Sequence, residues 1–194
     1  MLTLALDGFY WKPIQSGTAG GTDRSRAIAM TGLPPPRFFE ERYVLREPLS
    51  PHRAAELDGV KIDPARLNLP DGPEDNWLLI EGAGGVLVPI TREILQAALF
   101  LRWRAPVILV ARTALGTINH TLLTLEALKH RTVEVLGVIF VGDSMPDTER
   151  TISEIGGVKR LGRMPVLPSL DAANLRGAFA THFDRRDFEA AYGA

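Results

Sequence analysis

The sequence predicts a doubly wound α/β domain, three α/β/α layers deep, with a mainly parallel sheet between two layers of helices. Three observations point there. The runs Trp77-Leu78-Leu79-Ile80 and Pro106-Val107-Ile108-Leu109-Val110-Ala111 are apolar without polar interruption, as strands covered on both faces require. Segments 94–101 and 118–130 carry leucines at helical spacing, and strands that alternate with crossover helices pair in parallel. Finally, 194 residues of 45% apolar composition suffice for one core. No repeat, low-complexity segment or linker divides them, so residues 1–194 read as a single domain.

Taken in order, residues 2–6 read as the tail of a helix. Phe9-Tyr10-Trp11-Lys12 is a short aromatic strand stopped by Pro13, whose ring fixes its own φ and keeps Lys12 extended. Lys12 therefore stands at a strand end, facing a loop. Residues 14–23 are turn-rich, and a short helix over 24–31 ends before Pro34-Pro35-Pro36. A brief strand at 43–45 leads into Glu47-Pro48-Leu49-Ser50-Pro51-His52, stiffened by its two prolines, and then a helix through residue 56. The run 106–111 is expected to be central in the sheet. A strand over 133–141 and a helix over 148–155, with Asp147 as its N-cap, complete the pattern.

Composition excludes several functions. Lysine and arginine number 22 against 23 acids, so no basic face awaits nucleic acid or an anionic membrane. With no cysteine there is no disulfide, thiolate metal site or cysteine nucleophile. No apolar run reaches the roughly 18 to 20 residues of a membrane span, and the first residues lack a basic flank and a small-residue cleavage site. A cytoplasmic protein that acts on a small molecule, or pairs with its own copy, is expected.

Chemistry is expected where Trp77-Leu78-Leu79-Ile80 runs into Glu81-Gly82-Ala83-Gly84-Gly85. A buried strand that stops at a carboxylate and opens into glycines is how open α/β sheets present a metal ligand beside a phosphate or small substrate. No Gly-x-x-x-x-Gly-Lys-[Ser/Thr] phosphate loop occurs in the sequence.

Four motifs in order, Trp11-Lys12-Pro13-Ile14-Gln15-Ser16-Gly17, Glu47-Pro48-Leu49-Ser50-Pro51-His52, Glu81-Gly82-Ala83-Gly84-Gly85 and Leu115-Gly116-Thr117-Ile118-Asn119-His120, resemble the dethiobiotin synthetase family over nearly the whole chain. The resemblance implies a phosphate-loop nucleotide-binding fold. It also implies a ligase of biotin biosynthesis that makes the cyclic urea of dethiobiotin from 7,8-diaminononanoate, carbon dioxide and ATP with Mg2+. The family pattern places a strand, a phosphate loop and a helix ahead of the segment that begins here, roughly 20 residues judged from the usual strand, loop and helix unit. Without that unit two strands would keep unpaired backbone groups. Turnover is then expected to be well below that of a chain completed with it, since one preorganised oxyanion donor alone is worth about 10²- to 10³-fold.

By resemblance Lys12 binds the carbamate and the transferring phosphate, and Ser16 contacts the same end of the substrate, although a serine before Gly17 is also ordinary turn chemistry. Asp23 and Glu81 are the expected magnesium ligands, because a hard cation bridging phosphates takes one or two carboxylates and otherwise keeps its waters. Asp23 serves equally well as a cap for the helix that follows it. Gly82, Ala83, Gly84 and Gly85 would offer backbone amides to the nucleotide. Ser50 and Pro51 would shape the diamine pocket. Gly116, Thr117, Ile118 and Asn119 open a helix whose amides would hold the substrate carboxylate, serving the neighbouring subunit's pocket in a homodimer. Adenine contacts would fall at Gly142 and at Pro165, Val166 and Leu167. Single histidines such as His52 and His120 are assigned no proton transfer. The alternative is a non-catalytic homologue that binds a small ligand or a full-length partner.

Overall fold

A computed structural model describes residues 1–72 and 76–189, which pack as two compact units, Met1–Trp103 and Arg104–Ala194. The first unit begins with α1 (Leu2–Ala5), β1 (Phe9–Trp11), β2 (Ile14–Ser16) and α2 (Asp23–Thr31). It continues through β3 (Phe38–Phe39), β4 (Tyr43–Leu45), α3 (Pro51–Asp58), β5 (Leu78–Ile80) and α4 (Gln96–Trp103). β1 is the middle of a parallel sheet in the order β3-β1-β5, with Trp11 opposite Phe39 on one side and Ile80 on the other. Side chains alternate along a strand, so Trp11 enters the core while Tyr10 and Lys12 share the other face. Trp11 is 0% exposed, its ring centroid lies 5.8 Å from that of Trp103, and its indole N–H donates to the Glu40 carbonyl at 3.1 Å. Trp11→Ala is expected to destabilise the chain by about 3–5 kcal/mol, as emptying a large buried site does; urea unfolding of the variant beside the parent checks this.

Segment 14–23, expected to be turn-rich, contains β2. Pro13 ends β1, but the chain re-extends and pairs in parallel with β4, Ser16 opposite Leu45. The Pro13 carbonyl accepts the amides of Arg42 (2.8 Å) and Tyr43 (3.1 Å), which draws β4 alongside. α4 begins two residues later than the expected 94–101 helix. Ile94 is held in a turn where its carbonyl accepts the Ile90 amide at 2.8 Å.

The second unit contains β6 (Val107–Arg112), α5 (Thr117–His130), β7 (Val135–Val141), α6 (Pro146–Gly156), β8 (Arg160–Met164), α7 (Ala172–His182) and α8 (Arg186–Glu189). Its sheet has the order β6-β7-β8, again parallel throughout. Ala111, Val138, Phe140 and Ile152 form a buried cluster under α6. β6 is not central as expected: among the described residues it pairs with β7 alone, and Val110 is 62% exposed. An apolar run records which faces can be covered, not how many partners the backbone finds. β5 likewise pairs with β1 alone among the described residues, as β3 does on the other side of the same sheet.

Asp147 is not the cap of α6. Pro146 occupies the first helical position, where its fixed φ fits and its missing N–H costs nothing, so Met145 becomes the N-cap and Asp147 pairs with Arg150 at 2.6 Å. β8 and α7 add to the expected elements; in β8, Arg160 and Arg163 break the apolar alternation. Among the described residues, no helix is long and apolar enough to cross a membrane.

Candidate functional site

The parallel register of β1 and β5 places the candidate site. Trp11 lies opposite Ile80, and the Glu81 amide still donates to the Trp11 carbonyl at 2.9 Å, so Lys12 and Glu81 leave the same end of adjacent strands. The Lys12 ammonium donates to Glu81 Oε1 at 2.7 Å and to Asp23 Oδ2. Three residues from separate segments thus converge on one point. Lys12 is 7% exposed, whereas the Glu81 side chain is 47% exposed and half open to a ligand.

Burial alone would lower the Lys12 pKa. The hydrogen bonds and charges of Asp23 and Glu81 outweigh it and hold the ammonium above its ordinary range, so Lys12 is a fixed positive charge and not a base. Arg26 Nη1 lies 3.2 Å from Asp23 Oδ1 and adds a second cation on the outer side.

Asp23 reaches this point through two local devices. Thr22 caps α2 by accepting the Ser25 amide at 3.2 Å, and the buried Gln15 side chain accepts the Asp23 amide at 2.9 Å. Asp23 is therefore the first helical residue and not the cap. Gly17, at φ +81°, turns the chain where a Cβ would come within 2.9 Å of Pro48; the turn and the Glu47-Pro48 stretch need each other. Beside it, Ser16 Oγ is buried with no hydrogen-bond partner, an orphaned hydroxyl of the kind a ligand satisfies.

Two neighbours were not picked out from the sequence. The Tyr10 hydroxyl donates to Glu81 Oε2 at 2.7 Å. Burial first, then the Glu81 charge, drives its pKa far above the ordinary phenol value, so it remains a donor. Its signal was available, since residues two apart on a strand share a face. Glu41, with a buried Oε1 lacking a partner, adds to the negative field on Tyr10; nothing local in the sequence marks it.

In the glycine loop, the buried Gln96 side chain accepts the Ala83 amide at 3.2 Å and packs under Gly82, where a Cβ would lie 3.3 Å from Gln96 Cδ. The Ala83 amide is thereby engaged within the protein. Gly84 adopts φ +87°, and Gly85 has open space around it. Ser50 is the N-cap of α3 and Pro51 its first residue, while His52 Nδ1 is buried without a partner.

As hard oxygen donors gathered on one cation, Asp23 and Glu81 fit a magnesium ion that keeps most of its waters. Among the described residues no cluster of three or more acids or histidines that could hold a metal ion is found.

In the second unit, Gly116 caps α5 at φ +90°, with Thr117, Ile118 and Asn119 as the first turn. The Thr117 amide is already bonded to the Ala114 carbonyl at 3.1 Å. The segments holding Gly142 and Pro165–Leu167 are brought together, because the Gly142 amide donates to the Met164 carbonyl at 3.0 Å, and Val166 projects into solvent.

A family model described as an AAA domain matches residues 1–174. The chain is 54% identical over 186 residues to the ATP-dependent dethiobiotin synthetase BioD of Rhodopseudomonas palustris (strain HaA2), covering 95% of this chain and 85% of that protein. It is 54% identical over 183 residues to the protein of the same name from Rhizorhabdus wittichii, covering 94% and 87%. With that of Agrobacterium fabrum it shares 53% over 189 residues, covering 96% and 87%. Parallel sheets flanked by helices are the architecture such a family requires, and on this combined evidence the chain belongs to the dethiobiotin synthetase family.

Proposed function

We propose that this chain is a dethiobiotin synthase, an ATP-dependent ligase of biotin biosynthesis acting on 7,8-diaminononanoate and carbon dioxide in the cytoplasm. The observation that carries this reading is the buried Lys12 ammonium, held between Asp23 and Glu81. In the reaction one amine attacks carbon dioxide and loses a proton to give a carbamate. A carbamate oxygen then attacks the γ-phosphorus and ADP departs with the bonding pair. The second amine attacks the carbonyl carbon, loses a proton and expels phosphate, closing the urea. Negative charge accumulates at the first two steps, and a preorganised cation stabilises it without reorganisation cost.

Lys12 supplies that cation and Ser16 a hydroxyl contact to the same carbamate. Asp23 and Glu81 would hold magnesium, which when bound neutralises the phosphate oxygens. The Gly82–Gly85 turn offers backbone groups to the phosphates, and Gly142 with Pro165, Val166 and Leu167 flanks the adenine. Ser50 and Pro51 line the diamine pocket. Gly116 to Asn119 bind the substrate carboxylate of the neighbouring subunit in a homodimer.

The test is incubation of the purified chain with 7,8-diaminononanoate, labelled bicarbonate, ATP and magnesium. Labelled dethiobiotin matched one-to-one by ADP is the expected outcome. ADP release that ignores the diamine would contradict it.

A further inference from the structure

One buried carboxylate holds both ends of the connection between β7 and α6. Glu149 lies on α6 with its side chain 5% exposed, in a position that none of the proposed chemistry uses. Its Oε2 accepts Arg160 Nε at 2.8 Å, and its Oε1 accepts the Met145 amide at 3.4 Å and lies 3.7 Å from Arg163 Nε. Arg163 in turn donates through Nη1 to the Gly142 carbonyl at 2.7 Å. The four-residue connection Gly142-Asp143-Ser144-Met145 is thus tied at its far end by Glu149 directly and at its near end through Arg163. Its conformation is demanding: Gly142 sits at φ +122°, and its amide is bonded to the Met164 carbonyl.

Helix capping alone does not require this arrangement. A glutamate reaching back to an N-cap amide is a known economy at helix starts, but a cap needs no burial and no second arginine. A buried carboxylate survives only with its charge met, and here the two guanidinium groups that meet it come from β8, one of them relaying to Gly142. We propose that Glu149 is a positioning residue which, through Arg163, fixes the Gly142–Met145 connection as a rigid wall for the nucleotide base. The inference rests on the reading that Gly142 flanks the adenine. It assigns base discrimination to the backbone of this connection, held from behind by a salt-bridged pair.

The experiment compares Glu149→Gln, which keeps the shape and removes the charge, with Arg163→Met, which cuts only the relay. Arg150→Ala is the control, a surface change on the same helix. Hydrogen exchange of the Gly142–Met145 amides is read first, since it needs no turnover. KM for ATP and for the diamine, kcat, and the preference for ATP over GTP follow on the full chain. Faster exchange confined to this connection is expected in both variants. KM for ATP should rise about tenfold, the scale of one lost charge-assisted bond, with reduced ATP preference and the diamine KM and kcat within twofold. The double variant Glu149→Gln/Arg163→Met should lose little beyond either single variant, because both break one relay, and Arg150→Ala should resemble the parent. Unchanged exchange, or faster exchange with an unaltered ATP KM and ATP preference, would overturn the proposal. A parent chain that uses no ATP would overturn the nucleotide reading itself and the proposal with it.

Discussion

Replacing Lys12 with methionine is expected to lower the rate of urea formation by about 10²- to 10³-fold, the scale set by loss of one preorganised group facing developing negative charge. Methionine keeps most of the buried volume, so the change isolates the ammonium. It also leaves Asp23 and Glu81 without their shared cation. Breaking a fully buried pair costs about 3–5 kcal/mol, but both acids are partly exposed, so solvent screening reduces the expected loss of stability to about 1–2 kcal/mol. Stability and activity therefore separate: the variant should fold at 25 °C and fail to turn over. The pH dependence gives a second check. The folded pKa of Lys12 is raised above its ordinary 10.5, so its contribution to stability is fully present below 10.5 and is lost only as pH rises through the higher folded value. The difference in unfolding free energy between parent and variant should therefore not slope with Lys12 titration between pH 7 and about 9, by denaturant titration.

Glu81→Gln should weaken magnesium dependence while preserving the shape of the site. The amide oxygen can still accept from Tyr10 or Lys12, both of which bond to this side chain at 2.7 Å. What disappears is a hard anionic donor. The magnesium concentration for half-maximal turnover should rise about tenfold to a hundredfold, at least the cost of disturbing groups that merely orient metal ligands. Removing metal with EDTA should abolish turnover in the parent. Glu81 is also one of the groups that keep Lys12 charged, so the substitution should lower the Lys12 pKa, observable by NMR titration of the Nζ resonance. An unaltered magnesium requirement would remove Glu81 from the metal site.

Much of this site is legible in the sequence. Lys12 before Pro13 had to end a strand, and Glu81 after four apolar residues had to be met by a cation or a donor. What the sequence did not contain was their meeting, which depends on a register placing Trp11 opposite Ile80. The strand over 14–16 was hidden for a different reason. Three residues bounded by Pro13 and Gly17 carry turn signals at both ends and no room for periodicity, and only the pairing with Tyr43–Leu45 makes them a strand. β6 illustrates the reverse error, since its apolar run satisfied every criterion for a central strand while its pairing among the described residues is one-sided. Gln96 and Glu149 could not have been found by motif. Each acts on a backbone group brought to it by the fold, and nothing in its immediate neighbours distinguishes it from a helical surface residue.

The most direct measurement of whether Lys12, Asp23 and Glu81 form the substrate site is calorimetric titration of this chain with 7,8-diaminononanoate, with and without bicarbonate, beside Lys12→Met. If the buried ammonium receives the carbamate, bicarbonate should tighten binding to the parent, and this enhancement should vanish in the variant while its fold is retained. Equal affinities in parent and variant, with the same response to bicarbonate, would show that the diamine binds without Lys12 and would contradict the assignment.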